Sequence, residues 1–147
     1  MTNLLRENER VFPFITLPLP PTDNSLKIPV IRHKRGGKSH PYLVSTSAYK
    51  NYKKAFKVDW EIWHRQNPDF KLYEPNKDCF LAFTFTVYMK TWQTDAQNYC
   101  KALRDVLSGN LYKDDRYTYV LPTLNCPPQI DKNNPRIILD PNPTLLN

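Results

Sequence analysis

Residues Cys79–Ser108 read CFLAFTFTVYMKTWQTDAQNYCKALRDVLS, and two different periodicities meet inside them. From Cys79 to Met89 the chain alternates, with Leu81, Phe83, Phe85, Val87 and Met89 on one side and Thr84, Thr86 and Tyr88 on the other. A period of two is the mark of a half-buried strand, because successive side chains of an extended chain point to opposite faces. From Asp95 onward the spacing changes to three and four. At ~100° per residue, Ala96, Tyr99, Cys100, Leu103, Val106 and Leu107 fall within about 120° and make the core face of a helix. Thr94 can cap that helix, and Gly109 ends it as the residue after the cap. A strand running straight into an amphipathic helix predicts a mixed α+β domain.

The flanking sequence adds further elements. Val11 to Leu17 reads as a first strand, placed at a sheet edge by Pro13, and Pro18, Pro20 and Pro21 stop it. Lys27 to Tyr42 reads as a loop given freedom by Gly36-Gly37, two of the three glycines in the chain. Ser45, Thr46 or Ser47 caps a helix running to about His64. On it Tyr49, Tyr52, Phe56, Trp60 and Trp63 recur at spacings of three and four and form a core stripe. Gln66 to Lys77 is polar and broken by proline, hence a loop. Tyr117–Leu124 and Arg136–Leu139 read as two more strands, joined by a turn-rich segment from Pro127 to Pro135. The expected architecture is a small mixed β-sheet with two main helices. It forms one domain over residues 11–140, with a mobile tail at 1–10, a basic loop at 27–42 and a C-terminal tail at 141–147.

The chain has 147 residues and a net charge of +7, and the placement of that charge matters more than its total. Between Asn24 and Val58 stand Lys27, Arg32, Lys34, Arg35, Lys38, Lys50, Lys53, Lys54 and Lys57, without one acidic residue. A block of one sign repels itself unless a polyanion is near, which points to nucleic acid. Lys50, Lys53, Lys54 and Lys57 follow the helical spacing on the face beside the aromatic stripe. No apolar run is long enough for a membrane span, and the first ten residues are not signal-like. A cytoplasmic protein that engages no membrane is therefore expected. Cys79, Cys100 and Cys126 form no CxxC or Cys/His pattern and read as reduced thiols. The three histidines share no ligand-like spacing with them, although His33 and His40 sit in the basic loop. Trp92 reads as an ordinary packing residue, with wedging into opened DNA as the alternative.

Against this basic background the acids are few and ordered. Asp95 opens the second helix, where the helix dipole favours negative charge. Asn98, Lys101 and Asp105 lie off its core face, and Asp114-Asp115 follow Gly109. Taken singly, Asp95 could be only a helix-start residue and the doublet only a turn before a strand. In this order, Asp95, Asn98, Lys101, Asp105, Gly109, Asp114 and Asp115 resemble the motif of RusA-type Holliday-junction resolvases. That motif runs Asp-x-Asp-Asn, a lysine three residues later, then Asp, Gly and an Asp-Asp pair. The opening Leu19-Pro20-Pro21-Thr22-Asp23-Asn24 and its basic sequel are similar to that family too, so the likeness spans about residues 14 to 140. Two positions depart from the pattern. Gln97 replaces the second motif Asp, and Asn125 stands near where the family often carries lysine.

The resemblance implies a RusA-like, dimeric fold and a magnesium-dependent endodeoxyribonuclease that resolves four-way DNA junctions in recombination and repair. Asp95, Asp114 and Asp115 would hold Mg²⁺, or Mn²⁺, and Lys101 would approach the scissile phosphate. Gln97 and Asn98 would orient water or metal ligands. No small-molecule cofactor is implied, and a bacterial, phage or prophage setting fits. Gln97 offers a neutral oxygen where the family has a charge, which leaves a second reading open: a junction or single-strand DNA-binding protein that cuts poorly or not at all. A small basic RNA-binding domain is the third, although it leaves the acids without a purpose. A helix over 95–108 is about 20 Å long. For Asp114-Asp115 to meet Asp95, residues 110–113 must double back, or a second subunit must contribute.

Overall fold

A computed structural model describes residues 12–22, 27–32, 40–75, 77–78, 80–92, 96–113 and 120–146. In chain order these form β1 (Ile15–Pro18), β2 (Lys27–Arg32), β3 (His40–Ser45), α1 (Ser47–Gln66), β4 (Phe80–Met89), a 3₁₀ turn (Ala96–Tyr99), α2 (Cys100–Leu107), β5 (Val120–Leu124), β6 (Gln129–Ile130), β7 (Arg136–Leu139) and β8 (Thr144–Leu146). The result is a small mixed α+β domain with two helices and an open six-stranded sheet.

The alternating strand β4 is the spine. Along one edge it pairs antiparallel with β7 at Phe85–Tyr88 and with β8 at Phe80–Ala82. Along the other it pairs parallel with β5 at Leu81–Phe85 and with β6 at Tyr88–Met89. The parallel pairing follows from connectivity, since α2 lies between β4 and β5 and carries the chain back. Among the described residues β1 pairs only with β7 and so stands at an edge of the sheet.

Burial along β4 alternates without a break, and its odd-numbered side chains are all buried. They join Tyr49, Tyr52, Phe56, Trp60 and Trp63 of α1 and Ala102, Leu103, Val106 and Leu107 of α2 in a single core. Both helices therefore cover one face of the sheet. Thr46 caps α1, its Oγ1 accepting from the Tyr49 amide at 3.1 Å. The helix ends two residues beyond the expected point, at Gln66. Gly109 holds φ +84°, the left-handed conformation that terminates α2.

Three expectations are corrected. Residues 27–42 are not one loop, because β2 and β3 form an antiparallel two-stranded ribbon from Lys27↔Ser45 to Arg32↔His40. The run Ile28-Pro29-Val30-Ile31 and its partner Tyr42-Leu43-Val44 are rich in strand formers, and that preference prevails over the charges and prolines. The second helix starts as a 3₁₀ turn, so a uniform 100° step fails where residues advance ~120° each. In consequence Ala102 is fully buried, while Cys100 is only partly so. The stretch expected to trail as a C-terminal tail instead supplies β8, which covers the start of β4.

Burial of tyrosine hydroxyls gives the fold an alkaline limit. Burial, the nearby Asp105 charge and its hydrogen bond push Tyr49 up to about 12. Burial and then Asp140 push Tyr73 up to about 12, and burial followed by Tyr49 raises Tyr52 as well. These groups stay neutral in the fold where the unfolded chain ionises. Their contribution is therefore complete below the ordinary tyrosine value of 10.0 and is lost as pH climbs toward about 12. Thermal melts are expected to be flat to about pH 9.5 and to fall steeply above about pH 10.5. A midpoint unchanged at about pH 11.5 would contradict this.

Candidate nucleic-acid interface

The aromatic stripe of α1 is buried, so its lysines are turned outward. Lys50, Lys53, Lys54 and Lys57 are all exposed, and together they span ~10 Å of helix. Lys53 Nζ lies 4.6 Å from the centre of the Tyr49 ring, which fixes its stem along the helix. Lys57 approaches Glu61 one turn on at 4.0 Å, a solvent-exposed pair of little energetic weight. Lys27, at the start of the ribbon, is also exposed. The side chain of Arg32, and Lys34, Arg35 and Lys38 altogether, lie outside the described residues.

α2 packs beside α1 and brings the motif face of the sequence to the lysine rail. The Tyr49 hydroxyl donates to Asp105 Oδ2 at 3.2 Å, a tie between the two helices. Next to it a groove of about 390 Å³ is lined by Lys53, Phe56, Lys57, Trp60 and Glu61 of α1 and by Asp105, Val106, Ser108 and Asn110. Asn110 Nδ2 donates to the Val106 carbonyl at 2.7 Å and holds that wall of the groove. Lys101 lies four residues before Asp105 on the same row of α2, and Asn98 stands in the 3₁₀ turn that precedes it. Lys101 is exposed and Asn98 half-buried. Asp105 thus has a structural partner that its place in the motif gave no hint of.

Asp95, Asp114 and Asp115 lie outside the described residues, as does the side chain of Gln97. Their described neighbours bracket the problem raised by helix length. Ala96 begins the 3₁₀ turn, and Lys113 follows the far end of α2, with about 20 Å of helix between. After α2 the chain turns tightly, the Gly109 amide donating to the Tyr112 carbonyl at 2.8 Å. The Tyr112 hydroxyl reaches back to the Arg104 carbonyl at 2.8 Å. Lys113 is then held by the Tyr73 carbonyl at 2.9 Å, still at the far end of the helix. Residues 110–113 alone therefore do not bring the chain back toward Ala96. Among the described residues, no three Asp, Glu, His or Cys side chains come together as a metal would require.

Trp92 departs from its expected packing role. It is 69% exposed, whereas Trp60 and Trp63 are buried in the core. It follows the C-terminal end of β4, between exposed Lys90 and the acidic motif. A single Trp says nothing by periodicity, so the sequence carried no signal for this.

Among the described residues, no helix is long and apolar enough to cross a membrane. Cys100 and Cys126 are free thiols. Compared with protein-family models and with curated proteins, the chain matches none of them.

Proposed function

We propose that this protein is a metal-dependent endonuclease acting on four-way DNA junctions. The observation that carries the reading is the ordered motif Asp95, Asn98, Lys101, Asp105, Gly109, Asp114 and Asp115 in the sequence, together with an exposed lysine rail on α1. Three carboxylates are hard oxygen donors, which by their chemistry suit Mg²⁺ or Mn²⁺. When bound, such an ion supplies an activated water and offsets charge on the scissile phosphate. The side chains do the rest. Lys50, Lys53, Lys54 and Lys57 hold the DNA backbone, and Lys101 draws the phosphate toward the start of α2. Trp92, exposed and four residues before Ala96 in the chain, is available to stack against bases opened at the branch point. A pair of subunits related by a two-fold axis matches the approximate two-fold symmetry of a junction.

One substitution favours a second reading. Gln97 brings no charge to a position where the resembled family has Asp, and a junction-binding protein with weak or absent cleavage accommodates that directly. Incubating labelled four-way junction with the protein, with and without Mg²⁺ or Mn²⁺, separates the two. Paired nicks that depend on metal are expected. Binding without nicking would replace the nuclease reading by the second one, and preference for structured RNA would replace both by an RNA-binding role.

The phosphate contacts are tested separately from cleavage. Changing Lys50, Lys53, Lys54 and Lys57 together to Gln preserves helix propensity and removes four charges. Affinity for junction DNA is expected to fall on the order of 10²-fold, and the slope of log affinity against log salt to flatten by about 3. An unchanged slope would remove α1 from the interface.

A further inference from the structure

Lys53 and Lys57 border the groove between α1 and α2 as well as the outer rail, and the two walls of that groove differ in chemistry. The α1 wall carries these two exposed ammonium groups, with Glu61 held by Lys57 at 4.0 Å. The opposite wall carries Asp105, Ser108 and Asn110, all half-buried. Asp105 Oδ2 accepts from the Tyr49 hydroxyl at 3.2 Å, which leaves Oδ1 for another donor. Asn110 donates through Nδ2 to the Val106 carbonyl, which leaves its Oδ1 as an acceptor. The floor is apolar. It is made by Val106 and by Phe56 and Trp60, whose rings lie 13° from parallel, and all three are more than nine-tenths buried. Two ammonium and two carboxylate groups cancel, so the groove favours a neutral polar ring over a phosphate. Its size of about 390 Å³ falls within the ~300–1,000 Å³ common to small-ligand sites.

We propose that this groove takes the base of an unpaired guanine in a DNA strand. The proposal rests on the reading of this surface as a DNA interface and adds base selection to it. Guanine carries two kinds of edge side by side. Its O6 and N7 accept hydrogen bonds, while N1–H and the N2 amine donate them. The acceptors suit the lysines of α1, and the donors suit Asp105 and Asn110 opposite. The other bases fit worse. Adenine and cytosine bring a ring-nitrogen lone pair toward the carboxylate, and thymine has a single N–H donor between two carbonyls. The apolar floor covers one side of the ring, and Lys50 and Lys54, exposed and outside the groove lining, are left for the flanking phosphates. In a duplex the N1 and N2 donors are paired to cytosine. The site therefore selects guanines freed at a branch point or in a single strand. Asp105 gains a role by this assignment, since its order in the motif and its bond to Tyr49 leave half of the carboxylate unused.

Fluorescence anisotropy of the full chain tests it, with short labelled thymidine strands that differ only in a central G, A, C or T. The guanine strand is expected to bind about tenfold tighter than the other three. Inosine in its place lacks the N2 amine and is expected to lose most of that gain. Asp105→Asn still accepts from Tyr49 but offers no carboxylate, and is expected to bind all four strands alike. The inosine comparison needs no variant, so it decides the matter should Asp105→Asn fail to fold. Unlabelled GMP distinguishes the two sources of the base. It is expected to compete only at about a hundredfold higher concentration than the guanine strand, because it lacks the flanking phosphates. Competition at equal concentration would keep the guanine site and make a free nucleotide its ligand. No binding, equal affinity for the four strands, or equal affinity for guanine and inosine would overturn the proposal. Junction nicking is scored apart from this, so either reading can fail while the other stands.

Discussion

Asp95→Asn and Asp115→Asn are each expected to lower metal-dependent nicking of a four-way junction on the order of 10³-fold, without weakening junction binding. Removing one carboxylate from a magnesium site forfeits several kcal/mol of charge stabilisation, and each ~1.4 kcal/mol is tenfold in rate. Asparagine keeps the size of the side chain and removes one negative charge from a surface that must accept phosphates. Binding should therefore hold or tighten slightly. Gln97→Asp is the complementary change and should raise the nicking rate or lower the metal concentration required. Single-turnover cleavage and a gel-shift titration on the same preparations read both quantities. Cleavage by Asp95→Asn at the wild-type rate would detach the acids from the chemistry. A Gln97→Asp protein with unaltered metal dependence would show that this position lies outside the ion's coordination.

Phe83→Ala is expected to cost about 3–5 kcal/mol of stability. Phe83 is 1% exposed in the middle of β4, its ring 6.0 Å from Tyr73 and 5.9 Å from Tyr112. Those two tyrosines pair through backbone on the chain that leaves α2. Truncation therefore opens a cavity where the sheet, the loop before β4 and the exit from α2 converge. A typical domain has a margin of ~5–15 kcal/mol, so a melting midpoint lower by about 10 °C or more is expected. Val58→Ala, at an exposed position of α1, should stay within about 0.5 kcal/mol. A loss below about 1 kcal/mol at Phe83 would mean that the odd-numbered face of β4 is not the core.

β4 and α1 were legible from sequence because each repeats one physical rule over many residues. Ten alternating positions and a 20-residue stripe with a threonine cap leave little room for another reading. β6 and β8 hold two and three residues among prolines and asparagines, too few to show a period. β2 and β3 were masked by lysines, arginines and prolines that read as loop, although the branched residues between them favour strands. The Tyr49–Asp105 contact joins positions 56 residues apart and follows from helix packing, which no local pattern encodes. It also changes the meaning of Asp105, which belongs to the motif by order and to the α1–α2 junction by contact. The lysine rail was legible by spacing.

The pairing of β1 with β7 sets a timetable for the chain. Phe12 and Asn142 exchange two hydrogen bonds, at 3.1 Å and 2.8 Å, across a separation of 130 residues. The Trp63 indole adds a bond to the Pro13 carbonyl at 3.2 Å, which α1 can offer much earlier. On the ribosome, β1 is made well before its partner, because α1, β4, α2, β5 and β6 all lie between β1 and β7 in the chain. Until then its hydrophobic side chains, Ile15 and Leu17, depend on α1 for cover. Folding of this domain should accordingly be slow for its size, with closure of the β1 edge as the late step.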